Sequence, residues 1–233
     1  DNIKKEIINK YQYNFNNSKI IPCCVDFNYF NYTNKKKFND IYRKELNIQN
    51  DTIVLNYNGS LIGVYEYFDM LIFFREFKKK NYNSFFLITS HDYQYGNEIL
   101  MNNFSDLQDS IKILELPHAN IPKYISISDI SINFIKETYA RKAMSPTKFA
   151  EALALGIPVI YNNNIGDITK FVKQFNCGSI INYKNKSEII NFSNNYKNII
   201  SLGGKRIVNE AKKYFDIQIA NEKYKKVYTV LDQ

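Results

Sequence analysis

The chain has 233 residues, 45% hydrophobic, 15% aromatic and 23% charged, a composition too apolar for a disordered chain and ample for a sizeable core. No stretch approaches the ~18–20 uninterrupted apolar residues of a membrane span, and no charged-then-apolar leader opens the sequence. Lys+Arg 31 against Asp+Glu 23 gives a net charge of +8, which suits phosphorylated ligands or an anionic lipid surface; runs such as Lys35–Lys37 and Lys78–Lys80 read as a solvated face, and no recognition-helix or stacking-platform signature accompanies them, so nucleic acid is not an expected partner.

In chain order, Asp1–Lys10 reads as a short helix, Ser18–Ile21 as an extended piece broken by Pro22, and Tyr42–Leu46 as helical within a polar stretch. A regular pattern then begins. Thr52–Asn58 (TIVLNYN) is a β-branched and aromatic strand ended by Gly59-Ser60, and Val64–Lys80 carries apolar residues at helical spacing. Ser84–Thr89 is a second strand, Asn97–Phe104 a helix, Ile111–Leu116 a third strand, Ile121–Ile127 a short helix and Ile130–Phe134 a fourth strand. Ser145–Leu155 is a helix ended by Gly156, Pro158–Tyr161 a fifth strand, Ile168–Phe175 a helix and Ser179–Ile181 a sixth strand. Ser187–Ile200, Lys205–Phe215 and Ile219–Leu231 complete the helices.

Strands alternating with helices predict βαβ units and a doubly wound parallel sheet, an α/β domain of Rossmann-like type. The expected division is 1–50 as a linking segment, 51–216 as the ligand-binding domain and 217–233 as a terminal helix. Ligands of such sheets sit at the carboxyl ends of the strands, so the loops there are the places to look for chemistry.

Ser145-Pro146-Thr147-Lys148 reads as an N-cap, a proline at the first helical position, and two free amides with a cation beside them, which together make an anion site. Glu151, one turn on, reads either as an acceptor for ribose hydroxyls or as a solvent-exposed carboxylate. Gly59-Ser60-Leu61-Ile62-Gly63 allows close approach to a phosphate or forms a plain tight turn; it lacks the full dinucleotide and P-loop signatures. The loop Leu116–Pro122 has a backbone fixed by prolines, with His118 as ligand contact or ordinary loop residue. His91-Asp92 and Asp129 read as capping or turn residues. Cys23, Cys24 and Cys177 have no metal spacing and read as reduced thiols of a cytosolic chain; with two histidines, His91 and His118, no metal and no cofactor are expected.

The order GSL near the first strand, LPHANIPKYISISDISI, SPTKFAEALALGIPVI and Asn164-Ile165-Gly166-Asp167, preceded by Ile21-Pro22-Cys23-Cys24-Val25-Asp26, resembles the donor-binding half of GT-B glycosyltransferases over roughly residues 18–231. It is most similar to family 4 members with an S-P-T-K-x-x-E motif. The resemblance implies a transferase of hexosyl type with a nucleotide-diphospho-sugar donor as substrate, a retaining outcome, and a role in cell-envelope polysaccharide synthesis. It implies that Glu151 binds the ribose, and that Ser145, Pro146, Thr147 and Lys148 approach the diphosphate or sugar. Gly59 and Ser60 line the phosphate loop, and His118, Ala119 and Ile121 flank the base.

Two departures from the family pattern bear on this. A second glutamate eight positions before Glu151 is replaced by Ala143, which motivates an alternative reading as a non-catalytic nucleotide-sugar-binding or assembly module. The basic residues that neutralise the diphosphate are not evident after Gly59, which leaves Lys136, Arg141, Lys142 and Lys148 as substitutes. The length supplies one of the two halves of such an enzyme, and the first residue is Asp1 rather than Met, so the chain is expected to be a piece lacking the acceptor half. A carbohydrate or lipid-linked acceptor, a cytoplasmic location and a peripheral position on the anionic inner membrane face are the matching expectations. Tyr224, Val227, Tyr228 and Leu231, with Tyr11, Tyr13 and Phe15, are expected to expose apolar surface toward the other half.

Overall fold

A computed structural model describes residues 2–12 and 19–231. After a first helix, α1 (Asn2–Tyr11), and α2 (Lys35–Glu45), the chain runs β1 (Ile53–Asn58), α3 (Tyr67–Lys80), β2 (Ser84–Thr89), α4 (Tyr93–Asn103), β3 (Ile111–Leu114) and α5 (Ile121–Ile125). It continues through β4 (Ile130–Asn133), α6 (Thr147–Ala154), β5 (Val159–Tyr161), α7 (Ile168–Phe175) and β6 (Gly178–Ile180). The helices α8 (Lys186–Ile200), α9 (Lys205–Phe215) and α10 (Ile217–Leu231) close it.

The six strands form one parallel sheet in the order β3-β2-β1-β4-β5-β6, the doubly wound arrangement that the alternating pattern predicts. Both faces are covered, so the strands are buried runs. Leu55, Phe86, Ile132 and Ile160 point to the face covered by α3 and α8. On the other face Val159 and Tyr161 pack with Phe149, Phe175 and Phe215 of α6, α7 and α9. The chain winds outward from β1 to β3 and then returns to β4 beside β1. Loops leaving β1 and β4 therefore diverge and open a crevice at the carboxyl edge between them.

Buried Arg43 of α2 registers these two strands from the opposite edge. It donates to the carbonyl oxygens of Thr52 (2.8 Å) and Ile127 (3.0 Å) and to Asp129 Oδ2 (3.2 Å), which also accepts from the Val54 N–H at 2.8 Å. Asp129, expected as a turn residue, thus joins the entries to β1 and β4.

Several boundaries differ from the sequence expectation. The helix expected from Val64 starts at Tyr67, since Tyr65 pairs with Ile135 and Val64 O accepts from the Lys136 N–H, which commits that backbone to extended pairing. The helix expected from Asn97 starts at Tyr93 and runs through Gly96, where a Cβ would press on Leu61 and Ile113. The helical stretch expected at Tyr42–Leu46 starts instead at Lys35. From Val25 onward the first 50 residues are packed against the sheet: Val25, Phe27 and Phe30 join the α6–α9 core, and the Val25 N–H donates to Phe215 O at 2.9 Å.

On α10, Tyr224 and Tyr228 are 50% and 63% exposed, and Tyr11 of α1 is 65% exposed, so aromatic surface does face outward on these elements. The Leu231 side chain, Tyr13 and Phe15 lie outside the described residues. Among the described residues no helix is long and apolar enough to cross a membrane.

Candidate functional site

A cleft of about 390 Å³ opens at the carboxyl ends of β1, β2 and β3, where Asn58, Gly59, Ser60, Thr89, His118, Ile121, Lys148 and Glu151 meet. Six of these eight, Gly59, Ser60, His118, Ile121, Lys148 and Glu151, are residues singled out from the sequence, in three separate stretches.

The turn after β1 is fixed on several sides. The Gly59 N–H continues the sheet ladder to Thr89 O (2.9 Å), and Tyr57 OH donates to Ser60 O at 2.5 Å. Asp92, beyond β2, accepts from Ser60 Oγ (2.6 Å) and from the Leu61 N–H (2.8 Å) through one carboxylate oxygen. These bonds, the Ser60 hydroxyl first and the Leu61 amide next, hold the Asp92 carboxyl below the usual carboxylate range. The glycine at 59 has a specific cause. Its φ is +140°, and a Cβ there would collide with Lys148 Cε and come within 3.2 Å of Lys148 Nζ. Gly59 is therefore the opening through which Lys148 reaches the cleft.

Lys148 and Glu151 stand one turn apart on α6. Glu151 Oε2 accepts from Asn58 Nδ2 at 2.8 Å, which aims the carboxylate across the end of β1. Lys148 Nζ lies 5.7 Å from the centroid of the Tyr65 ring, a cation–π contact that steadies a long side chain. Behind them Tyr161, fully buried, is pushed well up by burial first and by the Glu151 charge second, so its hydroxyl stays neutral. Thr89 Oγ1 is buried on the cleft wall and has no hydrogen-bond partner among the described residues.

The opposite wall is a paired ring. His118 stacks on Tyr29 with centroids 5.2 Å apart and planes 3° from parallel. Tyr29 OH donates to His118 O at 2.7 Å and lies 3.1 Å from His118 Nδ1.

Other expected residues fall elsewhere. Ser145 does not cap α6: its hydroxyl accepts from the Cys23 N–H at 3.0 Å, and the helix begins at Thr147 with Pro146 in the cap position and no side-chain cap. The proline forces Ser145 toward extended backbone, and the distant amide takes the hydroxyl. Ser145 and Pro146 line a second cavity on the far flank of α6, while Thr147 and Ala119 line neither. Of the four substitute cations, Lys148 reaches the cleft; Lys142 lines the second cavity and pairs with Glu6 at 3.4 Å. The helix ends as Gly156 requires, at φ +68°, with the Ile157 N–H returning to Ala152 O at 2.9 Å. Sequence reasoning missed Asn58, Thr89, Tyr29 and the clasp role of Asp92; the signal available was that Asn58 and Thr89 end their strands. Among the described residues no cluster of three His, Cys, Asp or Glu side chains is placed to hold a metal ion.

No protein-family model and no curated protein matches the sequence. Solved structures do match in fold. A glycosyltransferase from Rickettsia africae superimposes with a TM-score of 0.75 at 17% identity, covering 100% of this chain and 62% of that one. Anabaena HepE, in complex with UDP and glucose, gives 0.69 at 16% identity, covering 91% and 56%. WaaG, a glycosyltransferase involved in lipopolysaccharide biosynthesis, gives 0.70 at 12% identity, covering 94% and 59%. The chain thus spans about 56–62% of the length of these structures. At such identities the likeness is one of fold: a Rossmann-like, doubly wound half of the GT-B type.

Proposed function

We propose that this chain is the donor-binding half of a glycosyltransferase that moves a hexosyl group from a nucleoside-diphospho-sugar to an acceptor held by the other half. The observation that carries the reading is the meeting of Glu151, Lys148 and the Gly59–Ser60 turn in one cleft at the carboxyl edge of a doubly wound sheet. Asn58 donates to one oxygen of Glu151, and in this reading the other accepts from ribose hydroxyls. Lys148, backed by the uncapped start of α6, takes the diphosphate. The loop carrying His118 and Ile121 flanks the base, with Tyr29 holding the imidazole in orientation.

As the bond between the sugar carbon and the diphosphate oxygen breaks, negative charge grows on the departing nucleoside diphosphate. A fixed ammonium and a helix N-terminus stabilise that charge more than they stabilise the intact donor, which is the catalytic contribution of this half. UDP and UDP-glucose in the HepE structures support a uridine donor. A retaining outcome and membership of the S-P-T-K-x-x-E subgroup of family 4 rest on the sequence resemblance. A carbohydrate or lipid-linked acceptor at an anionic inner membrane surface, in cell-envelope polysaccharide synthesis, rests on that resemblance, on the +8 charge and on the likeness to WaaG.

Ligand-observed NMR against UDP-, GDP-, ADP- and dTDP-sugars tests this reading. Saturable binding of one nucleotide class, displaced by its nucleoside diphosphate, is expected. Absence of binding by all four at millimolar concentration would overturn it.

A further inference from the structure

The second cavity, on the far flank of α6, differs in chemistry from the cleft. Its volume is about 480 Å³, within the ~300–1,000 Å³ typical of small-molecule pockets. Its inner side backs onto aromatic core: Phe149 and Phe215 are 1% and 3% exposed, and Phe171 is half-buried. Phe149, Phe171 and Phe215 touch one another, with centroids 6.3 Å (149–171), 5.7 Å (149–215) and 5.0 Å (171–215) apart. Ile3 and Ile7 of α1, with Met144, make apolar walls. Among the described residues around this surface stand five lysines, Lys4, Lys19, Lys142, Lys170 and Lys223, and one acid, Asp167.

An apolar wall alone would accept any hydrophobe, and a lysine rim alone any anion. Together, in one concave site, they select a molecule that is both. We infer that this cavity binds an anionic amphiphile, with one acyl or isoprenoid chain against Phe171, Met144, Ile3 and Ile7 and a phosphate or carboxylate head at the lysines. Burial of the chain supplies affinity in proportion to its length, and the head fixes orientation and excludes neutral hydrophobes. The site is separate from the nucleotide cleft and does not depend on the donor reading, although both share α6: Lys148 lines one and Phe149 the other.

Calorimetric titration of the chain with octyl, decyl and dodecyl phosphate, each below its micellar concentration, tests the inference. One-to-one binding is expected, tightening by about fourfold per added methylene until the cavity is filled. Inorganic phosphate should bind at least about a hundredfold more weakly than dodecyl phosphate. Two variants probe the two halves of the site: Ile7→Asp places a carboxylate among the apolar walls, and Lys19→Glu/Lys223→Glu reverses two rim charges. Each should weaken dodecyl phosphate by about tenfold or more, with the thermal midpoint within a few degrees of the parent chain.

Competition by phosphatidylglycerol vesicles, and not by phosphatidylcholine, would identify a bilayer lipid as the natural source of the amphiphile. Absence of competition would identify a free one, and either supports the site. Inorganic phosphate matching dodecyl phosphate, folded variants that bind as the parent does, or vesicle binding untouched by Ile7→Asp without monomer binding would each overturn it.

Discussion

Two hollows flank the first turn of α6, and they are built in opposite ways. The cleft at the ends of β1–β3 is shaped by directional bonds: Asp92 clasps the Ser60 turn, Asn58 aims Glu151, and Tyr29 holds His118. The cavity on the other side is shaped by rings packed edge-on and by aliphatic walls, with lysines around it. Consecutive residues of a helix point about 100° apart, so Lys148 and Phe149 can serve different hollows from one turn. A substitution confined to one side should therefore leave the other unchanged, unless it reaches the core they share.

The substitution expected to break both at once is Phe149→Ala. Phe149 is 1% exposed and packs edge-on against Tyr161 and Phe215. Removing it from a close-packed core should cost about 3–5 kcal/mol of stability, read by urea denaturation. A loss below ~1.5 kcal/mol would show that the aromatic side of the cavity is not an extension of the core.

Gly59→Ala should separate the two. The new Cβ meets the Lys148 side chain, and the φ of +140° disfavours any side chain. Nucleotide affinity should fall by about 1–3 kcal/mol as Lys148 is displaced, the scale of a lost charge-assisted bond. Dodecyl phosphate binding should be unaffected.

Asp92→Asn sharpens the contrast at a smaller scale. Losing the charged acceptor for Ser60 and Leu61 should loosen the turn and weaken nucleotide binding by about 1–2 kcal/mol in the same titration. The pH dependence has a definite sign. The folded value of Asp92 lies below its unfolded value, because Ser60 and Leu61 donate to the ionised form. Its contribution is thus present above the unfolded value of about 3.9 and is lost as pH falls through the lower folded value. Between pH 5 and 8 this carboxylate should leave both stability and nucleotide binding flat.

Much of the fold was legible because its strands are buried on both faces and so stand out as apolar runs, as in IVLNYN and SFFLIT. The errors fall where a distant partner overrides a local preference. Ser145 is a good local cap, yet the Cys23 amide, 122 residues away in sequence, takes its hydroxyl. The helix expected from Asn97 starts at Tyr93, and Gly96 within it is a point of close approach for Leu61. The site divides along the same line. Gly59 and Ser60 were visible in the turn that ends a strand, and Lys148 and Glu151 in the first turns of a helix. The bonds that orient them span 93 residues for Asn58–Glu151, 32 for Ser60–Asp92 and 89 for Tyr29–His118, and no local pattern encodes such pairs.

The role of Glu151 as ribose acceptor of the nucleotide cleft is open to one direct titration. Nucleoside diphosphate of the class the chain binds is titrated into the parent protein and into Glu151→Gln, which keeps the size of the side chain and its contact with Asn58 but removes the charge. One-to-one binding by the parent is expected, weakened by about 1–3 kcal/mol in the variant, with dodecyl phosphate binding equal in both. Equal nucleotide affinity in the two folded proteins would contradict that role and leave Glu151 as a structural partner of Asn58 alone.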